Sequence, residues 1–198
     1  MKIKIRKYRG CSENEICLTV VTTGNSSRSY FYSNLVRIFY KEDPSFDRLS
    51  IDIVCTYEDQ PFRLHLFDSE FDDGTGRGLS GFLGYTPAAK MGLVIIDLEE
   101  LKDPQEITES ISLLRSRAQI PLMVLGFFSS DSRLFPFERL NDIAGELECF
   151  YKEIYRNDEE GYGSVLEFIL NYSKEFDSSI KIQFDYLKYQ SMFNDYFS

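Results

Sequence analysis

The stretch Thr22–Ser29, TTGNSSRS, places one glycine, one asparagine, one arginine and five hydroxyl residues between the apolar run Ile16–Val21 and a segment of helical spacing. A loop that ends on a helix N-terminus offers backbone N–H groups to an anion. Turning several amides inward requires positive φ and close approach without Cβ atoms, which Gly24 and Asn25 can supply. Arg28 adds a cation, and Ser26, Ser27 and Ser29 add hydroxyls. The chemistry on offer is phosphate binding. A plainer reading stands beside it: a Ser-rich turn whose hydroxyls cap the following helix while Arg28 is solvated.

Other reactive groups are sparse. The one histidine, His65, shares a strand face with Arg63 and Phe67 and has no nucleophile near it in sequence, so a half-exposed strand position accounts for it. Cys11, Cys17, Cys55 and Cys149 are scattered without metal-binding or redox spacing and are expected as reduced, buried thiols. A formal charge of −10 opposes nucleic acid or an anionic membrane as the main partner. The basic strip Lys2, Lys4, Arg6, Lys7 and Arg9 reads as a solvated strand face. There is no run of about 18 apolar residues, no secretory h-region in MKIKIRKYRG and no C-terminal cysteine for a prenyl anchor. The expectation is a cytoplasmic protein without a lipid anchor.

The elements that must position the loop are read from periodicity. ICLTVV (16–21) is a strand, and SYFYSNLVRIFY carries Phe31, Leu35, Ile38 and Phe39 at helical spacing. LSIDIVCTY (49–57) and PFRLHLFD (61–68) alternate and are separated only by EDQ, which requires an antiparallel hairpin. Residues 69–90 are Gly-rich, aperiodic and long for a loop, the mark of a functional segment. GLVIIDL (92–98) and IPLMVLGFF (120–128) are continuous apolar runs suited to strands buried on both faces. Between them Asp103 is the expected N-cap, with Pro104 at the first helical position, Glu106 three residues after the cap, and Ile107, Ile111 and Leu114 on one face. A helix over 137–148 presents Leu140, Ile143, Ala144 and Leu147. CFYKEIY (149–155) reads as a sixth strand and 163–173 as a closing helix. MKIKIRKY and SSIKIQFDY alternate with period two and are candidates for extra edge strands. The expected class is α/β: one domain over 1–198, doubly wound, with a mostly parallel six-stranded sheet, one antiparallel hairpin and helices on both faces. Its core covers about 15–173, with extensions at 1–14 and 174–198. Ligands bind such sheets beyond the carboxyl ends of the strands.

This order of elements resembles the Ras superfamily of small GTPases over roughly residues 15–173. DPSFD (43–47) resembles the first switch, LFDSEF (66–71) the Asp-x-x-Gly segment, and GLVIIDL and PLMVLG the strands that follow; Glu153 and Gly161 stand where the family has a Glu before its Ser-Ala-Lys loop and a Gly before its last helix. The resemblance maps the phosphate loop G-x-x-x-x-G-K-[ST] onto Thr22–Ser29. It assigns magnesium ligation to Ser29, Ser45 and Asp68, all of which offer oxygen.

The chemistry that the resemblance implies is depleted residue by residue. Both signature glycines of the phosphate loop are absent, and Arg28 replaces a compact ammonium with a wider planar fork. Phe71 stands for the glycine whose amide meets the terminal phosphate and Asp72 for the water-orienting glutamine, while Glu70 and Asp73 add negative charge where phosphoryl transfer needs the opposite. Phe127 and Phe128 replace the Asn-Lys that reads guanine, leaving Asp131 as the remaining base-reading candidate, and Tyr155-Arg156-Asn157 replaces the Ser-Ala-Lys loop.

The expected function is therefore a pseudo-GTPase, a protein-interaction or assembly module that contacts a partner through the switch-like loops 41–50 and 69–90, with no catalytic residues, little or no GTP hydrolysis and no cofactor. One alternative is an atypical small GTPase that binds GTP or GDP with Mg²⁺ through Gly24, Asn25, Ser26, Ser27, Arg28, Ser29, Ser45, Asp68 and Asp131 and acts as a slow switch. The other is a small-molecule-binding α/β domain in which Phe127 and Phe128 stack on a planar ring.

Overall fold

The structure is a computed structural model that describes residues 2–3, 15–22, 31, 34, 50–57, 60–68, 90–117, 120–130, 133–175 and 186–197. Its strands are β1 (Lys2–Ile3), β2 (Glu15–Thr22), β3 (Ser50–Tyr57), β4 (Gln60–Asp68), β5 (Met91–Asp97), β6 (Leu122–Phe128) and β7 (Phe150–Tyr155). Its helices are α1 (Gln105–Arg117), α2 (Phe137–Glu146), α3 (Glu159–Glu175) and α4 (Tyr186–Phe197); Phe31 and Asn34 are also helical. The protein is α/β.

One sheet carries the strands in the order β1-β3-β4-β2-β5-β6-β7. β2, β5, β6 and β7 are parallel, and β4 joins β2 in parallel on its other side. β3 runs antiparallel to β4, from Ser50 opposite Phe67 to Tyr57 opposite Gln60. Among the described residues the sheet holds seven strands rather than the expected six, because Lys2–Ile3 add an edge strand antiparallel to β3.

Helices cover both faces, and each strand's period-two alternation decides which side chain meets which helix. On one face Leu18, Val20, Leu93, Ile95, Met123, Leu125, Phe127, Phe150 and Ile154 pack with α3 and with Phe31. On the other, Val21, Val94, Ile96, Leu122, Val124 and Tyr151 meet α1 and α2. All seven residues of β5 are buried, as its unbroken apolar run requires of a strand covered on both faces. At Gly92 a Cβ would lie 2.5 Å from Leu122 and 3.1 Å from Leu114, so the glycine lets α1 sit close to the sheet.

Local signals fix the helix ends. The Asp103 carboxylate accepts the Gln105 N–H at 2.9 Å, the cap expected from the sequence, and Ile107, Ile111 and Leu114 are buried beneath it. α3 starts earlier than the expected residue 163 because Asp158 caps it, accepting the Gly161 N–H at 2.9 Å. α2 ends in a Schellman pair, Cys149 N–H to the Ala144 carbonyl at 2.8 Å and Glu148 N–H to the Gly145 carbonyl at 3.0 Å, with Glu148 left-handed at φ 49°. α4 follows the segment SSIKIQFDY, expected as an edge strand: Tyr186, its last residue, is the first residue of the helix, and 178–185 lie outside the described residues. Phe193 is buried against Phe150 and Phe168, at ring separations of 5.2 and 5.1 Å, and the Lys152 ammonium sits 4.2 Å from the Phe197 ring.

Candidate functional site: the carboxyl ends of the parallel strands

The strand order reverses at β2, whose two neighbours are both parallel to it, and its last residue, Thr22, opens the loop TTGNSSRS. That is the switch point at which open α/β sheets bind ligands. Asp68 ends the adjacent β4 at the same end of the sheet, its backbone in register with Val20. Gly24, Asn25, Ser26, Ser27, Arg28, Ser29, Ser45 and Asp131 lie outside the described residues, as do the switch-like loops apart from Ser50 and Lys90. Among the described residues no group of three or more His, Cys, Asp or Glu side chains is arranged to hold a metal.

The described part of this rim, beyond β5, β6 and β7, is joined by one polar network. Asp97 ends β5 and is buried; one of its oxygens accepts the Glu99 N–H at 3.0 Å and the other the Arg156 guanidinium. The same guanidinium lies 3.2 Å from Glu99. Glu99 in turn occupies the turn after β6: its carboxylate accepts the amides of Ser129 and Ser130 at 3.1 and 2.9 Å, and both their hydroxyls, at 2.8 to 2.9 Å. Burial opposes the charge, but the Ser130 and Ser129 hydroxyls and amides prevail and hold the Glu99 carboxyl down, from 4.5 to about 2. The backbone reinforces the joint, with Leu98 N–H on the Phe127 carbonyl and Arg156 N–H on the Phe128 carbonyl, both at 2.9 Å.

No protein-family model matches this chain, and no curated protein matches it.

Chemically, the network is a closed anion site. Two amides, two hydroxyls and a guanidinium converge on one carboxylate that the chain itself supplies, so an external anion must displace Glu99 to use them. Removing Arg156 would leave the Asp97 carboxylate buried without its ion pair, a change that costs about 3–5 kcal/mol in such settings.

Phe127 and Phe128, adjacent in sequence, part company. Successive strand residues point to opposite faces. Phe127 is 2% exposed and packs against Phe31 and Tyr162, 5.6 and 5.4 Å away by ring centroid, its plane nearly parallel to that of Tyr162. Phe128 faces the α2 side, 4.1 Å from the Tyr155 ring and with the Arg133 guanidinium 5.8 Å from its centroid. The two rings therefore do not form one platform for a planar ligand, which corrects the arrangement expected of them.

On the α2 side, Glu153 ion-pairs with Arg133 and accepts the Tyr151 hydroxyl at 2.7 Å. Burial, followed by Glu153, pushes the Tyr151 phenol far above its usual range, so it stays a donor. Sequence reading singled out Glu153 and Arg156 but not Asp97, Glu99, Ser129 or Ser130 as partners, because the network joins residues up to 59 positions apart. The usable signal was positional: Asp97, Ser129 and Arg156 each end or immediately follow a strand of the parallel set.

Proposed function

We propose that this chain is a small-GTPase-like domain that does not read guanine and serves as a cytoplasmic protein-interaction module, a reading that the antiparallel pairing of β3 with β4 supports. The observation that carries the reading is Glu99. In the resembling family the segments after β6 and β7 read the base; here the chain's own carboxylate ties these segments together with Ser129, Ser130 and Arg156. Phe127, at the position of the family's base-reading asparagine, has neither donor nor acceptor in its ring and is packed against Phe31 and Tyr162. Losing a buried charge-assisted contact to a base costs about 2–5 kcal/mol, or about one and a half to three and a half decades of affinity.

With base reading absent and the hydrolytic residues replaced by Phe71 and Asp72, the partner surface is the pair of switch-like loops, 41–50 and 69–90. Among the described residues no helix is long and apolar enough to cross a membrane. The test is the nucleotide content of protein purified in Mg²⁺ and denatured at once: the reading expects an extract without stoichiometric GDP or GTP, and one guanine nucleotide per chain would overturn it.

A further inference from the structure

The exposed large apolar side chains among the described residues, Leu134, Phe137 and Tyr155, are 61%, 38% and 51% exposed and gather around one part of the rim. Contacts link them. Tyr155 packs on Phe128, Arg133 lies over the Phe128 ring and pairs with Glu153, Glu153 accepts the Tyr151 hydroxyl, and Phe137 packs 5.4 Å from the Tyr151 ring. Leu134 follows Arg133 in the chain. The patch thus runs from the end of β7, an edge strand, to the first residue of α2. Aromatic residues and arginine dominate it, the types that anchor interfaces. Exposed apolar side chains that cluster rather than scatter mark an interaction site.

The residues flanking the patch in the chain specify the partner's charge. Glu138 and Asp142 on α2 and Glu159 and Glu160 at the start of α3 are exposed, against one exposed cation, Arg139, on α2. Arg133 is already engaged by Glu153. The chain as a whole carries −10. A second copy would oppose acidic flanks to acidic flanks, which costs affinity and slows encounter, whereas a basic partner gains in both.

We infer that Leu134, Phe137 and Tyr155 form a docking surface for a basic amphipathic segment of another protein, apolar residues seated on the patch and Lys or Arg over Glu138, Glu159 and Glu160. The inference uses none of the residues of the switch-like loops and stands whether or not the chain binds nucleotide. The probe is an 18-residue helical peptide with Leu and Phe on one face and Lys and Arg on the other, labelled and titrated with the full chain by fluorescence anisotropy. A Leu134→Ser/Tyr155→Ser variant changes two side chains that are more than half exposed; a melting curve within a degree or two of wild type verifies its fold, and Glu159→Lys/Glu160→Lys gives an independent second variant.

The inference expects saturable binding of the probe, at least tenfold weaker in the Ser variant, at least threefold weaker in the Lys variant, and absent when the probe's basic residues are replaced by Glu. Equal binding of oligolysine of the same charge, or unchanged binding in the Ser variant, would overturn it by showing attraction to net charge alone. A concentration-dependent dimer in sedimentation, abolished by the Ser substitutions, would also overturn it, assigning the patch to a second copy of the chain.

Discussion

Replacing Glu99 with Gln keeps the side chain's shape and one carbonyl acceptor but removes the charge at the centre of the rim network. The wild-type carboxylate accepts two amides and two hydroxyls between 2.8 and 3.1 Å and lies 3.2 Å from Arg156. Hydrogen bonds to a charged group are worth about 1.5–3 kcal/mol when well shielded, and solvent screening of a rim position reduces this, so Glu99→Gln should cost about 1–2 kcal/mol. For a chain of this length that lowers Tm by about 2–8 °C. The pH dependence identifies the cause. The folded-state carboxyl is held at about 2 against an ordinary 4.5, so its stabilisation is fully present above about pH 4.5 and is lost as pH falls toward 2. Denaturant unfolding of wild type and variant at several pH values between 7 and 3 should show a constant difference from 7 to 5 that narrows below 4.5. No difference at pH 7, or one that stays constant down to pH 3, would refute the claim that an ionised Glu99 closes the rim.

Three further outcomes follow from the packing. Glu148 holds a left-handed conformation at the end of α2, so Glu148→Gly should raise stability by about 0.5–1 kcal/mol, after allowing for glycine's greater freedom in the unfolded chain; a loss of stability in denaturant unfolding would contradict this. Phe127→Ala opens the stack with Phe31 and Tyr162 and should cost about 3–5 kcal/mol by the same assay, whereas a cost below about 1 kcal/mol would mean that the ring is not a core element. Burial pushes the Cys149 thiol up to about 12, with Arg115 only partly offsetting it. Alkylation of Cys149 at pH 8, followed by peptide mapping, should therefore keep pace with global unfolding, and fast labelling of folded protein would show an accessible thiolate.

How much of this was legible in the sequence depends on the distance over which each feature is encoded. The Asp103 cap and the buried face of Ile107, Ile111 and Leu114 were legible because cap, proline and periodicity lie within a dozen consecutive residues. β5 and β6 were legible as unbroken apolar runs. α4 was missed because SSIKIQFDY alternates like a strand up to Tyr186, while the helical signal, Met192 and Phe193 followed four residues later by Tyr196 and Phe197, lies beyond it. The edge strand at Lys2–Ile3 agrees with the alternation of MKIKIRKY, although its partner β3 could not be named from a local pattern.

The site divides in the same way. That Phe127, Phe128 and Arg156 depart from the pattern of the resembling family was visible from their identities. The network around them was not, because Glu99 reaches Ser129 and Ser130 across about 30 positions and Arg156 reaches Asp97 across 59. Only the parallel order of β5, β6 and β7 brings those strand ends together. Phe127 and Phe128 look like a pair in sequence, yet the pleat sends one into each core.

Under the proposed small-GTPase-like reading, Glu99 ties together the strand ends at which that family reads guanine, and a thermal-shift titration with GTP, GDP and ATP, each with and without Mg²⁺, puts that reading to the test. A ligand at one hundred times its dissociation constant would add about 2.7 kcal/mol, a shift of about 5–10 °C here. No shift is expected at millimolar nucleotide. A Mg²⁺-dependent rise with GTP or GDP would contradict it and make Arg28 a working substitute for the phosphate-loop lysine.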